Sequence, residues 1–139
     1  MTGKQFLYFF DEDTLPVGKA FGSVRDDVCY PGHRDLPEVP RGTKDSDWLA
    51  AIGHAGRDLV VITQDKRMRE KPAELLALRD NGIRMFNVNA KRDRNSWQKF
   101  VLLVTRWEKI EKLIDKAGPG PWIFQLTEAK IQELRFPTK

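Results

Sequence analysis

Apolar residues in this chain fall into short unbroken runs separated by stretches with helical spacing. FLYFF (6–10) is a continuous apolar run of strand length, suited to burial on both faces. Thr14 is placed to cap a short helix with Pro16 in its first turn. DVCY (27–30) reads as a second strand. Residues 31–44 hold Pro31, Gly32, Pro37, Pro40 and Gly42 and read as a loop. In DSDWLAAIGHAG, Trp48, Leu49, Ile52 and Ala55 repeat at helical spacing until Gly56 ends the pattern. DLVVIT (58–63) is the clearest buried strand, and Asp65 stands just beyond it as Asp11 stands beyond the first.

Pro72 opens a helix that runs through Asp80 and is closed by Asn81-Gly82. RMFNV (84–88) is a fourth strand. Residues 96–117 form a long amphipathic helix with Phe100, Leu103, Trp107, Ile110 and Ile114 on one stripe. Lys99, Arg106, Lys109 and Lys112 fall largely off that stripe. Gly118-Pro119-Gly120-Pro121 breaks the helix, and WIFQL (122–126) is the last strand. Strand and helix alternate throughout. This predicts a three-layer α/β/α sandwich, with a mostly parallel central sheet of four to five strands, as a single domain over 1–139.

Composition narrows the class. Apolar residues make up 40% of the chain and charged residues 32%, as in a water-exposed globular protein. No apolar run approaches the roughly 20 residues of a membrane span. The first residues read as a strand and not as a signal-peptide core. Cys29 is the sole cysteine, so neither an internal disulfide nor a cysteine zinc site is available. A reducing cytoplasm is the expected compartment. Net charge is +4, which supports a nucleic-acid partner only through where the positive charges fall.

FFDEDTLP places three carboxylates directly after an apolar strand. In an open parallel sheet, ligands bind beyond the carboxyl ends of the strands, near the reversal of strand order. Asp11 and Asp13 leave the first strand at that edge, and Asp65 leaves its strand at the same edge. Asp45 begins the helix feeding the Asp65 strand, with Asp47 close behind. A helix returning to the start of a parallel strand must itself start near this edge. Like charges at short range need a counter-charge, and oxygen donors without cysteine favour Mg²⁺ or Mn²⁺ over zinc. The plainer reading makes each acid a helix cap or turn residue. Lys66, Arg67, Arg69 and Lys71 follow Asp65, and Lys91, Arg92 and Arg94 follow the fourth strand. Loops after neighbouring strands share one rim, so these residues are placed to hold phosphates beside the acids.

FFDEDTLP, TKDSDWLAAI and LVVITQDKRMREKPAE, in that order, resemble the PIN-like nuclease fold, closest to its compact branch that includes VapC-type toxins. The resemblance covers residues 6–88. It implies Asp11, Asp45 and Asp65 as catalytic metal ligands, with Asp13 a further candidate. Asp45 is preferred to Asp47 because it stands three residues before Trp48. A fourth acid later in the sheet has no clear counterpart, with Asp93, Asn87 or Asn89 nearest to that position. The resemblance further implies an RNA substrate, a cognate antitoxin that plugs the site, and a dimeric assembly.

Two other resemblances are weaker. DEDTL approaches the Asp-x-Asp-x-(Thr/Val) signature of haloacid-dehalogenase-type phosphatases, but Leu15 occupies the fifth position and no later Asp-Asp pair follows a strand. A phosphorelay receiver domain also uses an acidic pair after its first strand and an Asp after its third. The Thr or Ser after strand four and the Lys-Pro after strand five are missing here. A catalytically inactive PIN-like binding module is a further alternative. Cys29 and the tryptophans Trp48, Trp97, Trp107 and Trp122 read as core, with base stacking by Trp97 or Tyr30 as the lesser alternative, and His33 and His54 have no metal-ligand spacing.

Overall fold

A computed structural model describes residues 6–43, 45–54, 59–64, 71–88 and 95–134, excepting the side chains of Asp45, Ser46, Gly53, His54 and Glu74. The elements follow the expected alternation. β1 (Tyr8–Phe10) runs into a 3-10 turn (Glu12–Thr14) and α1 (Leu15–Gly22), then β2 (Val28–Cys29). α2 (Asp45–His54) precedes β3 (Val60–Thr63), and α3 (Pro72–Asp80) precedes β4 (Arg84–Val88). α4 (Ser96–Ala117) is followed by β5 (Trp122–Leu126) and β6 (Ile131–Leu134).

The sheet has the order β2-β1-β3-β4-β5-β6. The first five strands are parallel, and β6 pairs antiparallel to β5. Six strands replace the expected four to five. The added one, IQEL, is half to fully exposed and reads as polar surface, so no apolar run announces it. It joins β5 through a turn in which Thr127 and Lys130 bond each other.

Side-chain alternation along the strands divides the core in two. Tyr8, Phe10, Val60, Ile62, Phe86 and Phe124 pack with α1 and α4 through Val17, Phe21, Leu103, Trp107 and Ile110. Phe9, Val61, Met85 and Ile123 pack on the other face with Trp48, Leu49 and Ile52 of α2 and Leu78 of α3. Two apolar faces on one sheet are what continuous runs such as VVIT require, since alternate residues must both find cover. Residues 31–43 form neither helix nor strand, yet Leu36 and Val39 within them are fully buried.

Boundaries set by strong local signals fall where expected. α3 ends at Asp80, and Gly82 takes a positive φ of 62° that a residue with a Cβ rarely adopts. α4 starts with a capping box in which Asn95 and Gln98 bond each other's backbone N–H. Trp97 corrects the expectation of a buried ring. Its ring meets Phe100 at the start of the apolar stripe of α4 but is 69% exposed. Among the described residues no helix is long and apolar enough to cross a membrane.

Candidate functional site

The reversal of strand order lies between β1 and β3, because the chain leaves β1 for β2 on one side and returns to β3 on the other. Asp11 and Thr63 end the sheet at this place. Phe10 is paired with Ile62, so Asp11 and Thr63 are the next residues in the two strands' paths. The Asp11 N–H donates to the Ile62 carbonyl at 3.2 Å, carrying the ladder one step past the strand. Thr63 in turn pairs with Asn87, and Asn87 with Gln125. A polar row therefore crosses the carboxyl end of four strands, above rows that are apolar.

Asp11 is only 1% exposed, and its carboxylate is surrounded by donors. Oδ1 accepts from the Thr14 backbone N–H at 3.2 Å and from Thr14 Oγ1 at 2.9 Å. Oδ2 accepts from the Thr63 hydroxyl. The side chain is thus held from two directions, by the turn it caps and by the neighbouring strand. Donors compensate the desolvation that burial imposes on a carboxylate. The cap reading is correct for Asp11 as far as it goes. It leaves unexplained why a strand-end threonine is aimed at the second oxygen.

The other two acids of FFDEDTLP have different roles. Glu12 turns to the 31–43 loop, accepting the Gly42 N–H at 2.6 Å and lying 3.7 Å from the Arg41 guanidinium. Asp13 is exposed, and its backbone carbonyl accepts the Gln64 side-chain amide at 2.9 Å. The three carboxylates are therefore not stacked against one another. The turn that carries them fastens two separate stretches of chain: the end of β3 at Thr63 and Gln64, and the loop leading into α2 at Gly42.

Asp45 is the first residue of α2, three residues after Gly42, and a segment of that length spans at most about 11 Å. Its side chain is not among those described, and Asp47 is exposed in the same turn. Asp65, Lys66, Arg67, Arg69, Lys91, Arg92, Arg94, Asp93, Asn89 and Gly56 lie outside the described residues. Lys71 is described, and is exposed. Among the described residues no group of three His, Cys, Asp or Glu can hold a metal ion. Of the expected ligands, only Asp11 and Asp13 have described side chains.

Three residues join this edge that the sequence did not single out for it. Thr63 reads in the sequence only as part of the strand-end motif that leads to Asp65 and as an imitation of a phosphatase motif, not as a partner of Asp11. Thr14 was read as a cap in its own right, yet its side chain serves Asp11 and the Ile62 carbonyl. Lys99 comes from the first turns of α4. Burial pushes its ammonium below the ordinary lysine range, and the charges of Asp13 and Asp11 work against that shift. Lys99 is half-buried in the first turn of α4 and its charge acts with those of Asp13 and Asp11. Asn87, fully buried beside Thr63, stands where a fourth acid was sought.

The remaining metal-capable groups are engaged elsewhere. His33 Nδ1 accepts the Asp35 N–H at 3.0 Å, and its ring packs edge-on against Phe6 and Tyr30. Cys29 is buried in β2, donating toward the Tyr8 carbonyl.

A family model described as a PIN like domain matches residues 7–90, from β1 to just past β4. The chain belongs to the PIN-like domain family. The match takes in β1 with its acidic turn, the start of α2 and the end of β3, and stops before α4. PIN-like domains are generally nucleases and typically use divalent metals. At this PIN-like domain's edge the described carboxylates of Asp11 and Asp13 are hard oxygen donors of the kind such ions take, one short of the three that would hold an ion among the described residues. No curated protein and no solved structure matches the chain.

Proposed function

We propose that this chain is a metal-dependent ribonuclease that hydrolyses RNA phosphodiester bonds, with Asp11, Asp45 and Asp65 as its metal ligands. One observation carries the reading. The Asp11–Thr14 turn sits at the sheet's switch point, bonded to Thr63, Gln64 and Gly42. Gln64 and Gly42 are one and three residues from Asp65 and Asp45 along the chain. Chain continuity thus supports a meeting of the three acids, and a metal is the partner such a cluster calls for. Asp13 is a further candidate ligand at the exposed side of the same turn.

Asp11 is held by the Thr14 and Thr63 donors in one orientation, so it would meet Mg²⁺ or Mn²⁺ without reorganising. When bound, the ion neutralises charge on the scissile phosphate and favours ionisation of water. Lys99, in the first turn of α4, would contribute a positive charge that acts with those of Asp13 and Asp11. Lys66, Arg67, Lys91 and Arg92 follow the ends of β3 and β4 in sequence and would grip flanking phosphates. The toxin role, with a cognate antitoxin covering the acidic edge, a homodimer and a cytoplasmic setting, rests on the likeness of the three motifs to VapC-type proteins.

Incubating purified protein with single-stranded RNA in Mg²⁺ or Mn²⁺, beside an Asp65→Asn variant and a chelator control, tests the activity. Cleavage lost in both controls supports the nuclease. RNA left intact under every metal condition makes the chain a binding module instead. Growth arrest on induction, relieved by Asp65→Asn, tests the toxin role.

A further inference from the structure

α4 begins at the carboxyl edge of the sheet, since it follows β4 and runs back along it. Its first turn holds Trp97, whose indole is 69% exposed. Val101 and Val104, at helical spacing from it, are exposed as well, so the indole belongs to an apolar patch on one face of α4, and such a patch marks a contact surface. The ring is not loosely held. It stacks on Phe100 at 6.1 Å with 25° between the planes. Phe100 packs on Phe21 at 5.1 Å, and Phe21 on Trp107 at 4.8 Å. Four rings lead from the core to the surface, and the outermost face is open. Beside it lies a shallow groove of about 260 Å³ lined by Trp97, Gln98, Val101, Leu102 and Thr105.

Trp97 is two residues from Lys99, and both lie at the start of α4, at the carboxyl edge of the sheet. The same helix turn therefore carries a cation and an exposed aromatic face at that edge. A single-stranded nucleic acid presents those two features in alternation, a phosphate and then a base. Side chains backed by a rigid aromatic column lose little entropy on stacking.

We propose that Trp97 is a base-stacking platform for single-stranded RNA, with Lys99 contacting the phosphate between that base and the acidic edge. The inference rests on the ribonuclease reading and adds a substrate contact outside the segment that matches the PIN-like family. Stacking is tolerant of sequence, so the platform fixes the register of a strand and not its identity. Val101, 39% exposed, and Gln98 line the groove into which the edge of the stacked base would project.

The test is fluorescence anisotropy with a short fluorescein-labelled single-stranded RNA, in chelator so that nothing is cleaved. Wild-type protein is compared with Trp97→Ala, Trp97→Phe and Lys99→Ala across a salt series. Trp97→Ala is expected to weaken binding about tenfold at every salt concentration, and Trp97→Phe to restore most of it. Lys99→Ala is expected to flatten the dependence on log salt by about 0.7. An RNA with one abasic nucleotide should lose affinity for wild type and lose no more for Trp97→Ala. Trp97→Ala binding and cleaving as wild type overturns the platform while leaving the nuclease standing. A change in oligomeric state of Trp97→Ala by light scattering, with RNA affinity intact, also overturns it and marks the face as a protein contact. Wild type that neither binds nor cleaves RNA removes the ribonuclease reading itself, and the platform with it.

Discussion

The most constrained residue at the candidate site is Asp11, and Thr63 is what distinguishes its surroundings from those of a simple cap. A capping aspartate needs one oxygen on the backbone of its turn, which Oδ1 supplies to Thr14. The Thr63 hydroxyl holds the second oxygen from a different strand. Thr63→Val keeps the shape and removes that hydroxyl donor from a buried carboxylate. Stability should fall by about 1–3 kcal/mol in urea unfolding. Metal-dependent cleavage should fall further than the unfolded fraction explains. Thr63→Ser restores the donor and should recover both. Full cleavage in Thr63→Val would show that the hydroxyl does not orient Asp11 for any chemistry.

At the level of elements, the close approach of α1 to β1 sets where the acidic turn sits, and Gly18 permits it. A Cβ built on Gly18 would meet the Phe10 Cβ at 2.7 Å and its Cγ at 3.1 Å. Replacing glycine by alanine inside a helix ordinarily gains about 1 kcal/mol. Here the overlap falls on the root of a core aromatic, which cannot swing aside, so overpacking of about 1–3 kcal/mol should win. Gly18→Ala is expected to lower the thermal midpoint, and a raised midpoint would show slack between α1 and β1. The helices themselves were legible because their ends carry strong local signals: proline at the start of α3, glycine after it, and the capping box of α4. β6 was not, because an edge strand needs no apolar run and its partner is chosen by β5. Trp97 was misread for a related reason: composition says an indole is buried, and only its angle on α4 says otherwise. The place of Asp11 at the carboxyl edge of the sheet was legible from its strand end alone. The threonines that hold Asp11 were invisible, since pairing of β1 with β3 is a long-range fact.

The behaviour of the whole molecule with pH should be governed by a cluster that ties its layers together away from the candidate site. Tyr8 lies in the central sheet, and its hydroxyl donates to Glu111 of α4 at 3.2 Å. Arg25, in the connection from α1 to β2, bonds Asp27 through two nitrogens at 2.9 and 2.8 Å and reaches Glu111 at 3.5 Å. Its guanidinium also lies over the Tyr8 and Trp107 rings. Burial, and then the Glu111 charge, push the Tyr8 phenol well above its ordinary value near 10, although Arg25 opposes them. The folded protein thus keeps a proton that the unfolded chain releases. Below pH 10 both states are protonated and the contribution is fully present. As the pH rises above 10 the unfolded state ionises first, and stability declines toward the folded-state value. Tyr8→Phe removes this titration together with the hydrogen bond. At neutral pH the variant should be less stable by about 1 kcal/mol. Above pH 10 its stability should fall less steeply than that of wild type, so the two curves converge. Urea unfolding followed across the alkaline range decides it, because parallel curves would mean that the phenol ionises as readily in the folded protein as in the unfolded chain.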